Sequence, residues 1–252
     1  MRHALVTAGT KGIGKKVTES LLQNGYSVSA NYRSDFAAAE KLKASFSGQT
    51  DRLQIIKGDV SQKQDCVNLV EEAYRTYGRI DLLVLNAGPY VFERKKLADY
   101  LDEEWHAMID GNLNSAFYLL HKVIPIMRKQ NFGRIITYGF QNAGSAPGWM
   151  YRSAYAAAKV GLAGLTRTVA IEEAEYGITA NMVCPGKIVG EMKEAAIEES
   201  RRQNEEETPV GRSGTGEDIA RTIAFLCEDQ SDMITGSVIE VTGGIDVLRN
   251  SH

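Results

Sequence analysis

Cysteine is scarce in this chain, and Cys66, Cys184 and Cys227 stand far apart with no C-x-x-C pair among them. That pattern excludes a disulfide framework and a thiolate zinc site. His3, His106, His121 and His252 show no ligand spacing either, so no metal is expected. No apolar run approaches the roughly 20 residues of a membrane span. Met1-Arg2-His3 runs straight into Ala4-Leu5-Val6 without a signal-peptide core. A cytoplasmic protein with no membrane partner is the expectation. The net charge of -3 lacks the basic excess that marks nucleic-acid binding. With only five prolines, no internal repeat and no low-complexity tract, nothing divides the chain, and residues 1–252 are expected to form one domain.

What is present is an ordinary globular composition, 43% hydrophobic and 24% charged, enough for one substantial core. Short apolar runs alternate with helical periodicity. Strands are expected over 4–7, 26–32, 53–56, 80–85, 134–138, 178–183 and 237–241. Helices are expected over 15–23, from 36 to about 46, over 64–77 and 101–129, and from Tyr155 onward. Such alternation argues for an α/β fold of Rossmann type, a doubly wound parallel sheet with helices on both faces.

The 24 glycines concentrate attention on one turn. Gly9-Thr10-Lys11-Gly12-Ile13-Gly14 lies between the first strand and first helix, where backbone N–H groups at a helix N-terminus can meet a phosphate. The glycines do not match G-x-G-x-x-G. They nearly match a P-loop, but Lys16 stands where its magnesium-binding Ser or Thr belongs.

Tyr155-Ala156-Ala157-Ala158-Lys159 places a phenol and an ammonium four apart on a predicted helix, on one face. A neighbouring cation lowers a phenol's pKa, and a phenol so tuned can exchange a proton with a carbonyl or carbinol oxygen. The pair alone is common and is equally a buried Tyr beside a solvated Lys.

Taken together, Thr7-Ala8-Gly9-Thr10-Lys11-Gly12-Ile13-Gly14, Asn86-Ala87-Gly88, Asn112, Tyr155 with Lys159, Pro185-Gly186 and Val241-Thr242-Gly243-Gly244 fall in order along the whole chain. In this layout the sequence resembles the short-chain dehydrogenases/reductases, most of all the bacterial 3-oxoacyl-(acyl-carrier-protein) reductases. The resemblance implies hydride transfer between a nicotinamide and a carbonyl. Tyr155 would be the acid/base, Lys159 would bind the nicotinamide ribose, and Asn112 would hold a water of the proton relay. It implies NAD(P) along the Gly-rich turn, with Asp59 and Val60 beside the adenine, Asn86, Ala87 and Gly88 along the cofactor, and Pro185, Gly186 and Ile188 around the nicotinamide. It also implies a mobile lid over about 190–212 and a homotetramer packed through the helices of 101–129 and 155–175.

Three departures stand out. Ala8 occupies the family's first glycine position, with Gly9 beside it. Gly190 stands where a cofactor-contacting Thr is common. The family's active-site Ser is missing: counting back from Tyr155 gives Asn142, aligning from the preceding strand gives Phe140, and aligning on Gly144 gives Gln141. Gln141 or Asn142 could donate an amide hydrogen bond in its place, and Ser145 is a further alternative. Phe140 could not donate.

Charge bears on the cofactor. No acidic residue stands in Asn31-Tyr32-Arg33-Ser34, after the second strand, to hold ribose hydroxyls. Arg33 and Ser34 there, with Lys11, suit a 2′-phosphate, so NADP(H) is expected over NAD(H). Phe140, Trp149, Met150 and Tyr151 could line an apolar substrate pocket or simply pack. Arg128 and Lys129 could meet an acidic acyl carrier protein. A 3-oxoacyl-thioester reductase is the expectation. The alternatives are a reductase of another small carbonyl, alcohol or pterin, or a dinucleotide-binding non-catalytic paralogue.

Overall fold

The computed structural model describes residues 1–49, 51–90, 92–246 and 248; His252 lies outside them. Seven parallel strands form one sheet, β1 (His3–Val6), β2 (Ser27–Tyr32), β3 (Leu53–Lys57), β4 (Leu82–Leu85), β5 (Gly133–Tyr138), β6 (Ile178–Pro185) and β7 (Val238–Val241), in the spatial order β3-β2-β1-β4-β5-β6-β7. β1, β4 and β5 are buried along their whole length, because helices cover both faces and parallel strands tolerate no wet side.

One layer contains α1 (Gly12–Gln23), α2 (Phe36–Ser45) and α8 (Gly216–Leu226). Val17, Leu21, Leu42, Ile219 and Ile223 from these helices close over Val6, Val28 and Val84. The opposite layer contains α3 (Lys63–Tyr77), α4 (Asp102–Ile109), α5 (Ser115–Gln130) and α6 (Ser153–Glu172). There Leu69, Leu119, Val123 and Leu162 pack on Leu5, Leu83 and Ile135. Local chemistry sets the ends of these helices. The Asp35 carboxylate accepts the Ala38 N–H at 3.1 Å to start α2, and Gly78 ends α3 in the left-handed conformation.

The structure differs from the sequence expectation in three places. The helical stretch at 101–129 is interrupted by a π turn at Asp110–Asn114, between α4 and α5. The charged segment of 191–207, helix-competent by composition, forms only a 3-10 turn (Gly190–Lys193) and one short helix, α7 (Ile197–Ser200), with turns after it. Like charges run in blocks here and few side chains turn inward, chiefly Met192, Ala195 and Ser200, too narrow a face to support a longer helix. α8 has no counterpart in the expected elements, although Thr215-Gly216-Glu217-Asp218 reads as a capping box. Thr215 N–H donates to Asp218 Oδ2 at 2.9 Å and Asp218 N–H to Thr215 Oγ1 at 3.3 Å.

Candidate active site

β1 is flanked by β2 on one side and β4 on the other, so successive connections leave the sheet in opposite directions and open a crevice at the strands' carboxyl ends. The segments after β4, β5 and β6 converge there with α6 around a cavity of about 560 Å³. Ile13, Asn86, Gly88, Asn112, Tyr155, Lys159, Pro185, Gly186 and Ile188 all line it. These residues come from distant parts of the sequence and meet only through the sheet order.

The Gly-rich turn begins where β1 ends. Ala8 takes φ +48°, the left-handed backbone that glycine adopts freely, so the exchange of Ala8 and Gly9 leaves a turn in place at some strain. Gly14 is required by contact: a Cβ there would lie 2.2 Å from the Ala8 carbonyl oxygen and 2.5 Å from Asn86 Nδ2. Asn86 in turn ties β4 to the turn, donating to the carbonyls of Thr7 at 3.1 Å and Ala8 at 3.2 Å. At the N-terminus of α1 an anion is already seated. The Glu194 carboxylate accepts the Gly12 N–H at 2.7 Å and the Lys15 ammonium at 2.6 Å. A helix end that draws a carboxylate across 182 positions of sequence has the field and donors a phosphate needs.

Tyr155 and Lys159 sit in the first two turns of α6. The Lys159 ammonium lies 5.7 Å from the centre of the Tyr155 ring. Lys159 is 4% exposed, and no acidic side chain pairs with it among the described residues. Burial therefore depresses its pKa to about 8. The expected lowering of Tyr155 is not found. Enclosure raises its phenol above the ordinary value, with Tyr90 and Cys184 adding to the effect, because a buried phenolate loses more hydration than a neighbouring buried ammonium returns. At neutral pH the Tyr155 phenol thus keeps its proton.

Asn112 occupies the π turn. Its Nδ2 donates to the carbonyls of Pro89 and Met108, each at 3.0 Å, while its buried Oδ1 has no partner among the described residues. A Cβ on Gly88 would stand 2.3 Å from that Oδ1 and 3.5 Å from Lys159 Nζ. Asn112 and Lys159 thus border the same point beside Gly88. An orphaned acceptor, a buried ammonium and a backbone without side chains together fit a polyhydroxylated ligand laid along the strand ends.

A family model described as enoyl-(acyl carrier protein) reductase matches residues 7–246. The chain belongs to the short-chain dehydrogenases/reductases. It is 65% identical over 253 residues, 100% of this chain and 99% of the relative, to YtkK of Bacillus subtilis (strain 168), provisionally named an oxidoreductase. It is 35% identical over 245 residues, 97% of this chain and 98% of the relative, to the 3-oxoacyl-[acyl-carrier-protein] reductase FabG of Staphylococcus epidermidis. A solved structure from Bacillus thuringiensis, provisionally named a 3-oxoacyl-reductase, superposes with a TM-score of 0.93 at 63% identity, covering 98% of this chain and 99% of that one.

After β5 this short-chain dehydrogenase/reductase brings an aromatic side chain to the site. The strand delivers Phe140 to the cavity wall, 4% exposed, its ring centre 6.2 Å from Tyr155 and 5.0 Å from Trp149. Gln141 also lines the cavity, but its Nε2 donates to the Ile245 carbonyl at 2.9 Å. Asn142 does not reach the site. It is exposed, in a left-handed turn, with its N–H on Glu240 Oε1 at 2.8 Å. Ser145 is exposed as well. The path of the chain just beyond β5, not the count back from Tyr155, decides what faces the cavity: Phe140 and Gln141 reach its wall, while Asn142 and Ser145 turn to the surface. Of the candidate pocket residues in that loop, Trp149 lines the cavity while Met150 is exposed. Tyr90, Phe92 and Arg152 line it too, and the sequence reading singled out none of them. Tyr90 follows directly on Asn86-Ala87-Gly88-Pro89, a position the β4 end necessarily carries into the crevice.

The remaining expected cofactor residues lie along the same sheet edge, outside the cavity. Arg33 and Ser34 are exposed just beyond β2, and Arg33 pairs with no acidic side chain among the described residues. The Lys11 ammonium is held 3.1 Å from the Asp35 carboxylate, so it is less available than Arg33. Asp59 accepts the Ser61 N–H at 3.0 Å and Val60 is buried beside it. Gly9, Thr10, Lys11 and Gly12 form the turn described above, and the Ala87 N–H donates to Thr7 Oγ1 at 2.9 Å. Arg128 is not a free docking cation. Its Nε and Nη2 each donate to the Glu173 carboxylate at 2.6 Å, and its guanidinium lies 5.0 Å over Tyr176.

Proposed function

We propose that this chain is an NADP(H)-dependent carbonyl reductase acting on a 3-oxoacyl thioester or a similarly small carbonyl compound. The observation that carries the reading is Tyr155, a protonated phenol in an apolar cavity, with Lys159 and Asn112 on the same side and the Gly-rich turn opening beside it. The turn would hold the dinucleotide's phosphates, Arg33 and Ser34 its 2′-phosphate, Lys159 its nicotinamide ribose, and Pro185, Gly186 and Ile188 its nicotinamide face. When bound, that group supplies a hydride to the carbonyl carbon.

The chain's own residues do the rest. The wall of Phe140, Trp149 and Tyr90 excludes water, which strengthens each polar contact made inside. Tyr155 donates its proton to the carbonyl oxygen as the carbon–oxygen double bond becomes single. The phenolate left behind is stabilised by the adjacent Lys159 ammonium, which at a pKa of about 8 is mostly charged at neutral pH and can pass on a proton. Asn112 fixes the π turn beneath this pair and presents its Oδ1 to the same space. A cytoplasmic tetramer is the family expectation; among the described residues no helix is long and apolar enough to cross a membrane.

Phe140 in place of the family's Ser favours one other reading, a dinucleotide-binding protein without catalysis. The test is turnover of NADPH against acetoacetyl thioesters, diketones, aldehydes and a pterin, with Tyr155→Phe as control. Loss of turnover in the variant supports the reductase. NADPH binding with no turnover on the whole panel would favour the non-catalytic reading.

A further inference from the structure

A carbonyl oxygen taking up negative charge has two lone pairs to satisfy, and Tyr155 meets one. In a water-poor cavity the second donor matters greatly: removing one such donor has cost roughly 10²–10³ in kcat in a well-studied hydrolase. Phe140 contributes nothing polar. The other polar groups on the wall are mostly committed. Asn86 Nδ2 serves the Thr7 and Ala8 carbonyls, Gln141 Nε2 serves Ile245, Lys187 pairs with Glu207, and the Tyr138 hydroxyl is sealed within the protein.

Tyr90 is different. Its ring stands edge-on to Tyr155, centre to centre 5.0 Å at 84°, and it lines the cavity. Its hydroxyl oxygen accepts the Arg152 Nε–H at 2.9 Å. A phenol that accepts from a guanidinium keeps its own proton for another acceptor, and the bond it receives polarises the one it gives. Arg152 also clamps the segment after β4. Its Nη1 donates to the carbonyls of Glu93 and Tyr151 at 2.9 Å, and its Nη2 donates to that of Phe92 at 3.3 Å. The start of α6, which carries Tyr155, and the loop that carries Tyr90 are thereby tied into one unit. We propose that Tyr90, aligned by Arg152, donates the second hydrogen bond to the reacting carbonyl oxygen and takes over the work of the serine that Phe140 has replaced. The inference rests on the reductase reading above. Tyr90 touches the reacting atom and is catalytic; Arg152 is a positioning residue.

The decisive variant is Tyr90→Phe, which keeps the ring against Tyr155 and Trp149 and removes only the hydroxyl. On the best substrate of the panel, kcat is expected to fall about 100- to 1000-fold, on the scale of a lost oxyanion donor, while NADPH affinity measured by fluorescence stays unchanged. Arg152→Met is expected to lower kcat too, and the double variant no further than Tyr90→Phe alone, since the two act through one hydrogen bond. Unchanged kcat in Tyr90→Phe, or a loss confined to KM, overturns the inference. If Tyr155→Phe abolishes turnover and Tyr90→Phe does not alter it, the reductase stands and Tyr90 falls. If turnover survives in Tyr155→Phe, the reductase chemistry falls and this inference with it.

Discussion

Lys159→Met should make the protein more stable and inactive. Lys159 is buried without an anionic partner, and its pKa falls from 10.5 to about 8. A folded-state value below the unfolded one means that the native state binds this proton more weakly, so the ammonium opposes folding. The shift corresponds to a penalty of about 3 kcal/mol, full below pH 8, shrinking as pH rises from about 8 to 10.5, and gone above that. Methionine keeps the unbranched apolar stem and removes the charge. For a chain of this length each kcal/mol moves Tm by about 2–4 °C. Allowing for imperfect packing of the new side chain, a rise of several degrees at pH 7 is expected. Thermal unfolding of both proteins at pH 7 and pH 10 measures it, and the difference should narrow at the higher pH because only the wild type is relieved. Lower stability of the variant at pH 7, or a pH-independent difference, would refute the burial argument. It would mean that Lys159 is held by interactions stronger than its desolvation. The same variant should lose reductase turnover, which makes Lys159 a site where function is kept at the expense of stability.

Glu194→Gln removes the anion seated on Gly12 and Lys15, so nucleotide affinity should rise several-fold, most clearly at low salt; fluorescence titration showing no gain would mean that Glu194 does not compete for that helix end. Ala8→Gly relieves the positive φ at Ala8, a strain of about 1 kcal/mol partly offset by glycine's unfolded-state entropy. A small net stabilisation is expected in denaturant unfolding, and a loss above about 1 kcal/mol would contradict it. Arg33→Asp should weaken NADPH at least tenfold while leaving NADH nearly unchanged, and an equal loss for both would remove Arg33 from the choice of cofactor.

Much of the architecture was written in one dimension. Apolar runs such as Leu82–Leu85 and the periodicity of Val17, Leu21 and Leu22 name strands and helices because burial on one or both faces imposes those patterns. The same holds for Tyr155 and Lys159, whose relation is fixed within a single helix, and for Gly14, whose turn is local. Helix α8 was equally legible through its capping box at Thr215 and Asp218. What the chain alone could not decide depended on contacts between distant segments. Which residue replaces the missing serine was open among Phe140, Gln141, Asn142 and Ser145. The tertiary structure puts Phe140 and Gln141 on the cavity wall and leaves Asn142 and Ser145 exposed, because the path of the chain beyond β5, not the count back from Tyr155, decides which side chains reach the crevice. Asn112 as an interrupted helix, Glu194 at the N-terminus of α1 and Tyr90 against Tyr155 likewise arise from segments brought together by the sheet order. The direction of the Tyr155 shift belongs to the same class. Sequence spacing supplies the neighbouring cation, but only the tertiary surroundings show that burial outweighs it and raises the phenol.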